Sequence, residues 1–208
     1  MKYPSYEEYN FRYKNYLKRD PSELFKNITF DKKVLLDLCG GNGRLSIYAK
    51  NQGADVTYLD QELDMTPFEL LKGVSILHMS VEEFFASSSI KFDIIACQQG
   101  INYWFDPKII ESIYYGLNYD GVFIFNTFNK KPSEIKKTKI YSIDGKEYKE
   151  TNILIDNIVY HTQECEGIIH TTEFKWISPE TFNSILIEYF DLSIFIDGPT
   201  SIYHCRRK

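Results

Sequence analysis

The amino-acid sequence predicts an α/β fold built on a doubly wound, mostly parallel sheet of seven strands with helices on both faces. Apolar β-rich runs alternate with helical patterns between residues 33 and 128. The runs at 34–38, 92–97 and 121–125 are almost continuously apolar, as expected of parallel strands that helices cover on both sides. A length of 208 residues, 43% of them hydrophobic, is enough for one sizeable core. We therefore expect residues 1–208 to form a single domain.

The N-terminal segment, residues 1–30, is predicted to form a helical lid. Ser5 followed by Glu8 is a capping-box pattern for a helix start. Large apolar and aromatic side chains then recur at three- and four-residue steps, at Tyr6, Tyr9, Tyr13, Tyr16 and Leu17. This aromatic face either packs on the core or closes over a ligand, in which case Tyr13 would contact the bound molecule.

Residues 31–129 are predicted to form the cofactor-binding core. After the first strand and a glycine-rich turn, the pattern predicts helices at 44–53, 66–73, 81–88 and 107–118 and strands at 55–60, 74–79, 92–98 and 121–128. Thr66 followed by Pro67 is typical of a helix start, and Gly53 and Gly73 are typical of helix ends.

The rhythm changes after the fifth strand. Residues 130–177 carry alternating β-type residues, with turns predicted at Asp144-Gly145 and Glu166-Gly167, so we expect an antiparallel β insertion. Residues 178–208 are predicted to form a closing helix, which Ser178 caps, and a β-hairpin that turns at Asp197-Gly198-Pro199.

Charge and composition argue against several classes of partner. A net charge of −5 argues against a broad phosphate-binding surface, so nucleic acid is a disfavoured partner. No early apolar segment follows a basic start, and no apolar run approaches the roughly 20 residues that cross a bilayer, so we expect a cytoplasmic protein without membrane contact. The 4 cysteines are scattered, with neither a close pair nor a histidine at ligand spacing, so neither disulfides nor a metal site are predicted. Oligomeric state has no sequence indicator here.

Two interpretations compete for the glycine-rich turn after the first strand. Gly41, Gly43 and Ser46 approximate the G-x-G-x-x-G/A fingerprint, in which a pyrophosphate approaches a helix N-terminus. Asp37 opposes this interpretation, because a carboxylate beside the turn would repel a pyrophosphate. The same carboxylate suits a positively charged ligand.

At this turn the sequence resembles the class I S-adenosylmethionine-dependent methyltransferases, of the small-molecule type. Their first motif is an acidic residue followed by x-G-x-G-x-G, and residues 37–43 read Asp-Leu-Cys-Gly-Gly-Asn-Gly, with Cys39 at the first glycine position. The resemblance covers residues 33–128 together with the closing helix and hairpin. It implies S-adenosylmethionine as the cofactor, with contacts from Asp37, Cys39, Gly40, Gly41 and Gly43.

The resemblance assigns further contacts to the ends of the next strands. Asp60 takes the ribose hydroxyls, a role that nicotinamide enzymes also give to an acidic residue, and Gln61 lies beside the adenine. Ser80 stands where the family often has an acidic residue that meets the adenine amino group, with Val81 after it; Ser80 is equally suited to cap the helix that follows.

Polar and aromatic side chains cluster after the fourth strand, at Gln98, Gln99, Asn102, Tyr103 and Trp104. Amide oxygens and aromatic faces can both meet the sulfonium, and Gln98 is predicted to contact the cofactor. The N/D-P-P-Y/F/W motif of enzymes that methylate amino groups of nucleic acids is absent. Its absence favours a small-molecule methyl acceptor.

Candidate catalytic residues lie in and beside the insertion, which we expect to form the acceptor pocket. His161 and His170 are candidate general bases, because histidine titrates near neutral pH, although each also suits a strand-packing role. Tyr103 could orient an acceptor through its phenol or pack against the cofactor.

Three functions stay open at this point. The first is methyl transfer from S-adenosylmethionine to N, O or C of a small molecule. The second is a methyltransferase-like binding or scaffold protein without catalysis, which Cys39 and Ser80 keep open. The third is a nicotinamide-dependent reductase, for which residues 114–118 lack the usual Tyr-x-x-x-Lys pair.

Overall fold

The structure is a computed structural model that describes residues 21–64, 66–133, 136–143 and 145–208. Its helices are α1 (Pro21–Leu24), α2 (Arg44–Asn51), α3 (Val81–Ser87), α4 (Ile101–Trp104), α5 (Pro107–Gly116) and α6 (Pro179–Leu186). Its strands are β1 (Val34–Leu38), β2 (Asp55–Asp60), β3 (Ser75–His78), β4 (Phe92–Cys97), β5 (Leu117–Phe128), β6 (Lys137–Ile143), β7 (Lys146–Ile155), β8 (Ile158–Cys165), β9 (Ile168–Lys175), β10 (Phe190–Asp197) and β11 (Thr200–Arg207).

The main sheet has seven strands in the order β10-β11-β5-β4-β1-β2-β3. Strands β1 to β5 pair in parallel, while β11 pairs antiparallel to β5 and β10 antiparallel to β11. The predicted mostly parallel seven-stranded sheet is therefore confirmed. Because β1 lies between β2 and β4, the strand order reverses there, and ligands of such sheets bind at the carboxyl ends of the strands beside this point.

Helices cover both faces of this sheet because successive strand residues point to opposite sides. Leu36 and Leu38 of β1 are fully buried in one cluster with apolar residues of α3, α5 and α6. Leu35, the residue before Leu36, is buried in a second cluster with residues of α1 and α2. The continuous apolar run of β1 is thus the consequence of burial on two sides.

One predicted helix is wrong. Residues 68–73 form successive turns, and residues 66 and 67 lie outside any regular element, although Thr66 and Pro67 are typical of a helix start. Pro67 and Leu71 pack over the glycine-rich turn, since a Cβ built on Gly43 would lie 3.0 Å from Pro67 Cγ and 3.2 Å from Leu71 Cδ2. Phe68 and Leu70 stay exposed, so the segment has no continuous apolar face to bury as a helix.

The antiparallel insertion after β5 is confirmed as a four-stranded sheet in the order β6-β7-β8-β9. It is joined to the core through Asn102 of α4, whose Nδ2 donates to the Lys175 carbonyl at 3.0 Å and whose Oδ1 accepts from the Thr127 hydroxyl at 2.8 Å. The rings of Tyr103 and Phe174 also meet edge to face, with centroids 5.8 Å apart. These contacts fix the insertion against the carboxyl ends of β4 and β5.

The predicted closing segment is also observed. Ser178 caps α6 by accepting a hydrogen bond from the Thr181 amide at 3.2 Å, and β10 and β11 form the hairpin. Residues 1–20, including Tyr13 and the rest of the aromatic helix pattern, lie outside the described residues, so the lid stays a prediction. No described helix is long and apolar enough to cross a membrane.

Candidate functional site

A cavity of about 780 Å³ opens at the carboxyl ends of β1, β2 and β4 and extends to the insertion. Its volume lies within the roughly 300–1,000 Å³ that is usual for small-molecule sites. One wall consists of the glycine-rich turn and the ends of the parallel strands, and the other consists of side chains from β7, β8 and β9. The cavity therefore has a core side and an insertion side.

The glycine-rich turn has a left-handed backbone at alternate positions. The φ angles of Cys39, Gly41 and Gly43 are 55°, 51° and 70°. These are the three glycine positions of the x-G-x-G-x-G motif, and a non-glycine residue there costs about 1–2 kcal/mol. Cys39 therefore keeps the backbone conformation of the motif at an energetic cost.

Gly40 is required for a different reason, a close approach. A Cβ on this residue would lie 2.9 Å from Tyr58 Cζ and closer still to two other ring atoms. The Tyr58 hydroxyl donates to the Gly41 carbonyl at 2.7 Å and lies 3.0 Å from the Thr66 hydroxyl. Tyr58 thus contacts the turn through both its ring and its hydroxyl and fixes the position of Gly40 and Gly41.

Asp60 holds the turn from the side. Its Oδ2 accepts a hydrogen bond from the Gly41 amide at 2.9 Å, and its Oδ1 accepts one from the Glu62 amide at 2.8 Å. Burial raises the pKa of this carboxyl, and the two amides oppose the increase. Each carboxylate oxygen has a further lone pair, and the side chain lines the cavity, so both ribose hydroxyls of an adenosyl ligand could be bound here.

Asp37 lies on the same wall and is almost completely buried. The Ser46 hydroxyl donates to its Oδ2 at 2.6 Å. Burial raises the pKa of Asp37 to about 7, and the negative charge of Asp60 contributes to the increase. An arrangement of two carboxylates that disfavour each other's charge is stabilised by a bound cation.

The side chain of Cys39 is accommodated because residue 100 is a glycine. A Cβ on Gly100 would lie 2.7 Å from the Cys39 Cβ, 3.1 Å from its Sγ and 2.9 Å from the Cys97 Sγ. The hydrogen bond with Cys97 and burial raise the pKa of the Cys39 thiol. The side chain that replaces the motif's first glycine thus occupies space that Gly100 leaves open, and Cys39 still lines the cavity.

The remaining groups on the core side match S-adenosylmethionine. Within the described part of the chain, Asn42 Nδ2 is a buried donor without a hydrogen-bond partner, and Asn42 and Arg44 both line the cavity. An amide donor and a guanidinium suit the carboxylate of the methionine moiety, while Asp37 suits its ammonium. A pyrophosphate would instead meet Asp37 and Asp60.

The ends of β2 and β3 form the part of the cavity to which the resemblance assigns the adenine. Gln61, Ser80 and Val81 line the cavity there. Ser80 also caps α3: its hydroxyl accepts from the Glu83 amide at 3.1 Å, and its own amide donates to the Glu83 carboxylate at 2.8 Å. The capping role is therefore observed, and the Ser80 hydroxyl hydrogen is still able to donate to a ligand.

The insertion side carries a row of polar residues. His161 lies opposite Asn152 in the β7–β8 pair, and its Nδ1 is 2.6 Å from Asn152 Oδ1 and 3.8 Å from Glu150 Oε1. Burial lowers the pKa of His161, and Glu150 opposes this change. A neutral imidazole can accept a proton, so His161 in this row is able to take a proton from a molecule bound in the cavity.

The structure brings most of the predicted site residues together. The residues of the prediction that line the cavity are Asp37, Cys39, Gly40, Gly41, Asp60, Gln61, Ser80, Val81, Gln98, Tyr103, His161 and His170. Gly43 lies outside the lining, beneath Pro67 and Leu71, where it shapes the turn. Tyr13 lies outside the described residues.

Five residues of the site were missed from the sequence. Tyr58 reads as an ordinary residue of a buried strand, Asn42 as a turn residue and Arg44 as the first residue of a helix. Glu150 and Asn152 are two apart in one strand, so both side chains lie on the face that carries His161, but the hairpin that pairs the two strands was not predicted.

Comparison with the sequences of known proteins identifies a methyltransferase as a relative over part of the chain. No protein-family model matches the chain. It is 31% identical over 126 residues to the ubiquinone biosynthesis O-methyltransferase of Psychrobacter cryohalolentis, which is 56% of this chain and 47% of that relative. The chain thus spans about half the length of this curated relative.

Solved structures match over the whole fold. CalS10, an amino pentose methyltransferase from Micromonospora echinaspora with S-adenosylmethionine bound, is 12% identical with a TM-score of 0.77, over 100% of this chain and 99% of that chain. KedS8, a sugar N-methyltransferase from Streptoalloteichus, is 12% identical with a TM-score of 0.73, over 96% and 93% of the two chains. The chain therefore has the Rossmann-like fold of the S-adenosylmethionine-dependent methyltransferases, and the resemblance of its sequence to them is confirmed at the level of fold.

Proposed function

We propose that this protein is an S-adenosylmethionine-dependent methyltransferase that transfers a methyl group to nitrogen, oxygen or carbon of a small-molecule acceptor. The observation that carries the proposal is the pair of buried carboxylates, Asp37 and Asp60, beside a glycine-rich turn in one cavity. A ligand with a sulfonium and an ammonium group, and without phosphate, complements this wall.

The two sides of the cavity divide the work. The core side binds the cofactor, which supplies an activated methyl group when bound, and Gln98 contacts it from the end of β4. The insertion side binds the acceptor. Proximity and exclusion of water between the two sides supply most of the rate enhancement, since a sulfonium needs no further activation.

On the insertion side, His161 and His170 are proposed general bases, and Tyr103 is proposed to orient the acceptor. All three line the cavity. His161 is the stronger candidate, because burial lowers its pKa and keeps its imidazole neutral. Tyr103 is 53% exposed, so its phenol can reach an acceptor at the cavity mouth.

The names of similar proteins support a small acceptor. They include a ubiquinone biosynthesis O-methyltransferase, an amino pentose methyltransferase and a sugar N-methyltransferase. We propose accordingly that the partner is a metabolite and not a nucleic acid. We also propose that the protein acts in the cytoplasm. The segments 1–30, 31–129, 130–177 and 178–208 are proposed to act as one catalytic domain.

A catalytically inactive binding protein is the second candidate, and Cys39 is the observation that favours it. Against it, the Cys39 backbone keeps the left-handed conformation of the motif, and Gly100 leaves room for its side chain. A nicotinamide-dependent reductase is disfavoured because Asp37 would face a pyrophosphate.

Transfer of a labelled methyl group separates these candidates. The protein is incubated with S-adenosylmethionine labelled at the methyl carbon and a small-molecule metabolite extract, and labelled products are identified by mass spectrometry. The proposal predicts a labelled product that is absent with Asp37→Ala protein. A protein that binds S-adenosylhomocysteine but labels no metabolite in any extract is a binding protein.

A further inference from the structure

The hydrogen-bonding pattern of Glu150, Asn152 and His161 fixes the orientation of each polar group. The Asn152 side chain lies between the other two, with Oδ1 2.6 Å from His161 Nδ1 and Nδ2 3.4 Å from Glu150 Oε1. A carboxylate only accepts hydrogen bonds, so the Asn152 amide must direct Nδ2 toward Glu150. Its Oδ1 then faces His161, and because Oδ1 also only accepts, His161 Nδ1 must carry the proton.

Glu150 is buried in β7, and its negative charge contributes, after burial, to the raised pKa of the Tyr141 phenol. Glu150, Asn152 and His161 all line the cavity, so the three polar groups act on one side of it.

We propose that Asn152 and Glu150 are positioning residues that hold His161 with its proton on Nδ1, so that Nε2 takes a proton from the methyl acceptor. This inference rests on the proposed function. It also specifies the acceptor class: the nucleophilic atom is an oxygen or nitrogen that carries a hydrogen, such as a hydroxyl or an amine.

Proton transfer to His161 and methyl transfer to the acceptor occur together. The acceptor's proton moves to Nε2 while the acceptor atom bonds the methyl carbon, and the electron pair of the carbon–sulfur bond remains on sulfur. His161 becomes an imidazolium, whose charge Glu150 stabilises from 3.8 Å. Loss of this proton to solvent restores the neutral base.

Several charged or titratable groups surround His161. Glu150 lies on β7, Lys137 is in register with Asn152 on β6, and His170 of β9 pairs with Gln163, two residues from His161 in β8. Tyr103 lines the cavity from the core. Only Glu150 is both anionic and close to His161 among the described residues, so its removal should lower the titration midpoint of His161.

The tautomer and titration of His161 can be measured directly by ¹⁵N NMR, without an acceptor. The expected result for the wild type is a neutral ring with the proton on Nδ1 at pH 7.5. Asn152→Leu should lose this preference, Asn152→Asp should keep it and raise the midpoint, and Glu150→Gln should lower the midpoint. Thr138→Val is the control, because it removes a cross-strand hydrogen bond to Thr151 outside the cavity.

Opposite effects of Asn152→Asp and Asn152→Leu distinguish positioning from simple damage to the sheet, which would alter both alike. A wild-type proton on Nε2, or an unchanged tautomer in Asn152→Leu, would overturn the inference even if methyl transfer is observed. Calorimetry with S-adenosylhomocysteine on the same variants tests the proposed function separately, and we expect all of them to bind it as the wild type does.

Discussion

The ring of Tyr58 lies directly against Gly40, at a distance that leaves no room for a Cβ atom between them. Tyr58 also donates a hydrogen bond to the next residue of the turn, Gly41, at 2.7 Å. The glycine-rich turn is thus positioned by an aromatic residue of the neighbouring strand, and its glycines are needed for different reasons.

Gly40→Ala should therefore cost more stability than Gly41→Ala. The first forces the Tyr58 ring to move, a clash that typically costs about 1–3 kcal/mol or more. A Cβ on Gly41 meets nothing nearer than 3.8 Å, so the second costs only the left-handed backbone, about 1–2 kcal/mol. Urea unfolding of both variants measures the difference, and equal losses would contradict the role given to Tyr58.

Substitutions at Cys39 and Gly100 should be energetically coupled, because the Cys39 side chain occupies the space that a Cβ on residue 100 would need. We expect Gly100→Ala to destabilise the wild type and to cost less in a Cys39→Gly background, with a coupling energy of about 0.5–3 kcal/mol. Cys97 still limits the space, so the relief should be partial. Cys165→Ser, in the inserted sheet, is the control background, in which the cost of Gly100→Ala should be unchanged.

The strands and the acidic residues at their ends could be predicted from the sequence. Continuous apolar runs identified the buried parallel strands, and Asp37 and Asp60 stood out because a carboxylate at the end of such a run has no packing role. The prediction of a helix at 66–73 was wrong because it relied on residues typical of helix starts and ends. The segment lacks the continuous buried face that stabilises a helix, as the exposure of Phe68 and Leu70 shows.

The pairing of Asn152 with His161 was missed because it depends on a turn without glycine. Asp156 and Asn157 both have positive φ, 47° and 65°, which is the conformation of a tight hairpin turn. Aspartate and asparagine tolerate this conformation better than other non-glycine residues, so the sequence did contain an indicator. Side-chain contacts across the cavity depend on tertiary packing, and the sequence contained no indicator of them.

The raised pKa of Asp37 predicts that Asp37→Asn stabilises the ligand-free protein at alkaline pH. The folded protein keeps this proton up to about pH 7, whereas the unfolded chain releases it near 3.8. The carboxyl's contribution to stability is therefore complete below pH 3.8 and is lost as the pH rises through 7. The amide avoids that loss and still accepts from Ser46.

The gain in unfolding free energy at pH 8 should be up to about 4 kcal/mol, at 1.36 kcal/mol for each pH unit of the shift. Urea unfolding at pH 5 and pH 8 measures it, and the gain should be smaller at pH 5. The same variant should bind S-adenosylmethionine more weakly, because the anion that meets the ammonium is gone. Lower stability than the wild type at pH 8 would mean that Asp37 is stabilised in its charged form.

Asn102→Ala should loosen the insertion and leave the parallel strands β1 and β2 unaffected. It removes the hydrogen bonds to Lys175 and Thr127, each worth about 0.5–1.5 kcal/mol. Hydrogen exchange should become faster in β9 and stay unchanged in β1 and β2. Asn118→Ala is a matched control, since it removes a hydrogen bond to Asp93 away from the insertion. Unchanged exchange in β9 would show that other contacts hold the insertion.

Calorimetric titration with S-adenosylmethionine, S-adenosylhomocysteine and NADPH, on the wild type and on Asp37→Ala and Asp60→Ala, tests the central claim most directly. The account predicts saturable binding of both adenosyl ligands by the wild type, loss of that binding in both variants, and no binding of NADPH. Binding of NADPH alone, or of no ligand by a correctly folded wild type, would contradict the assignment of the Asp37 and Asp60 wall to a cationic adenosyl cofactor.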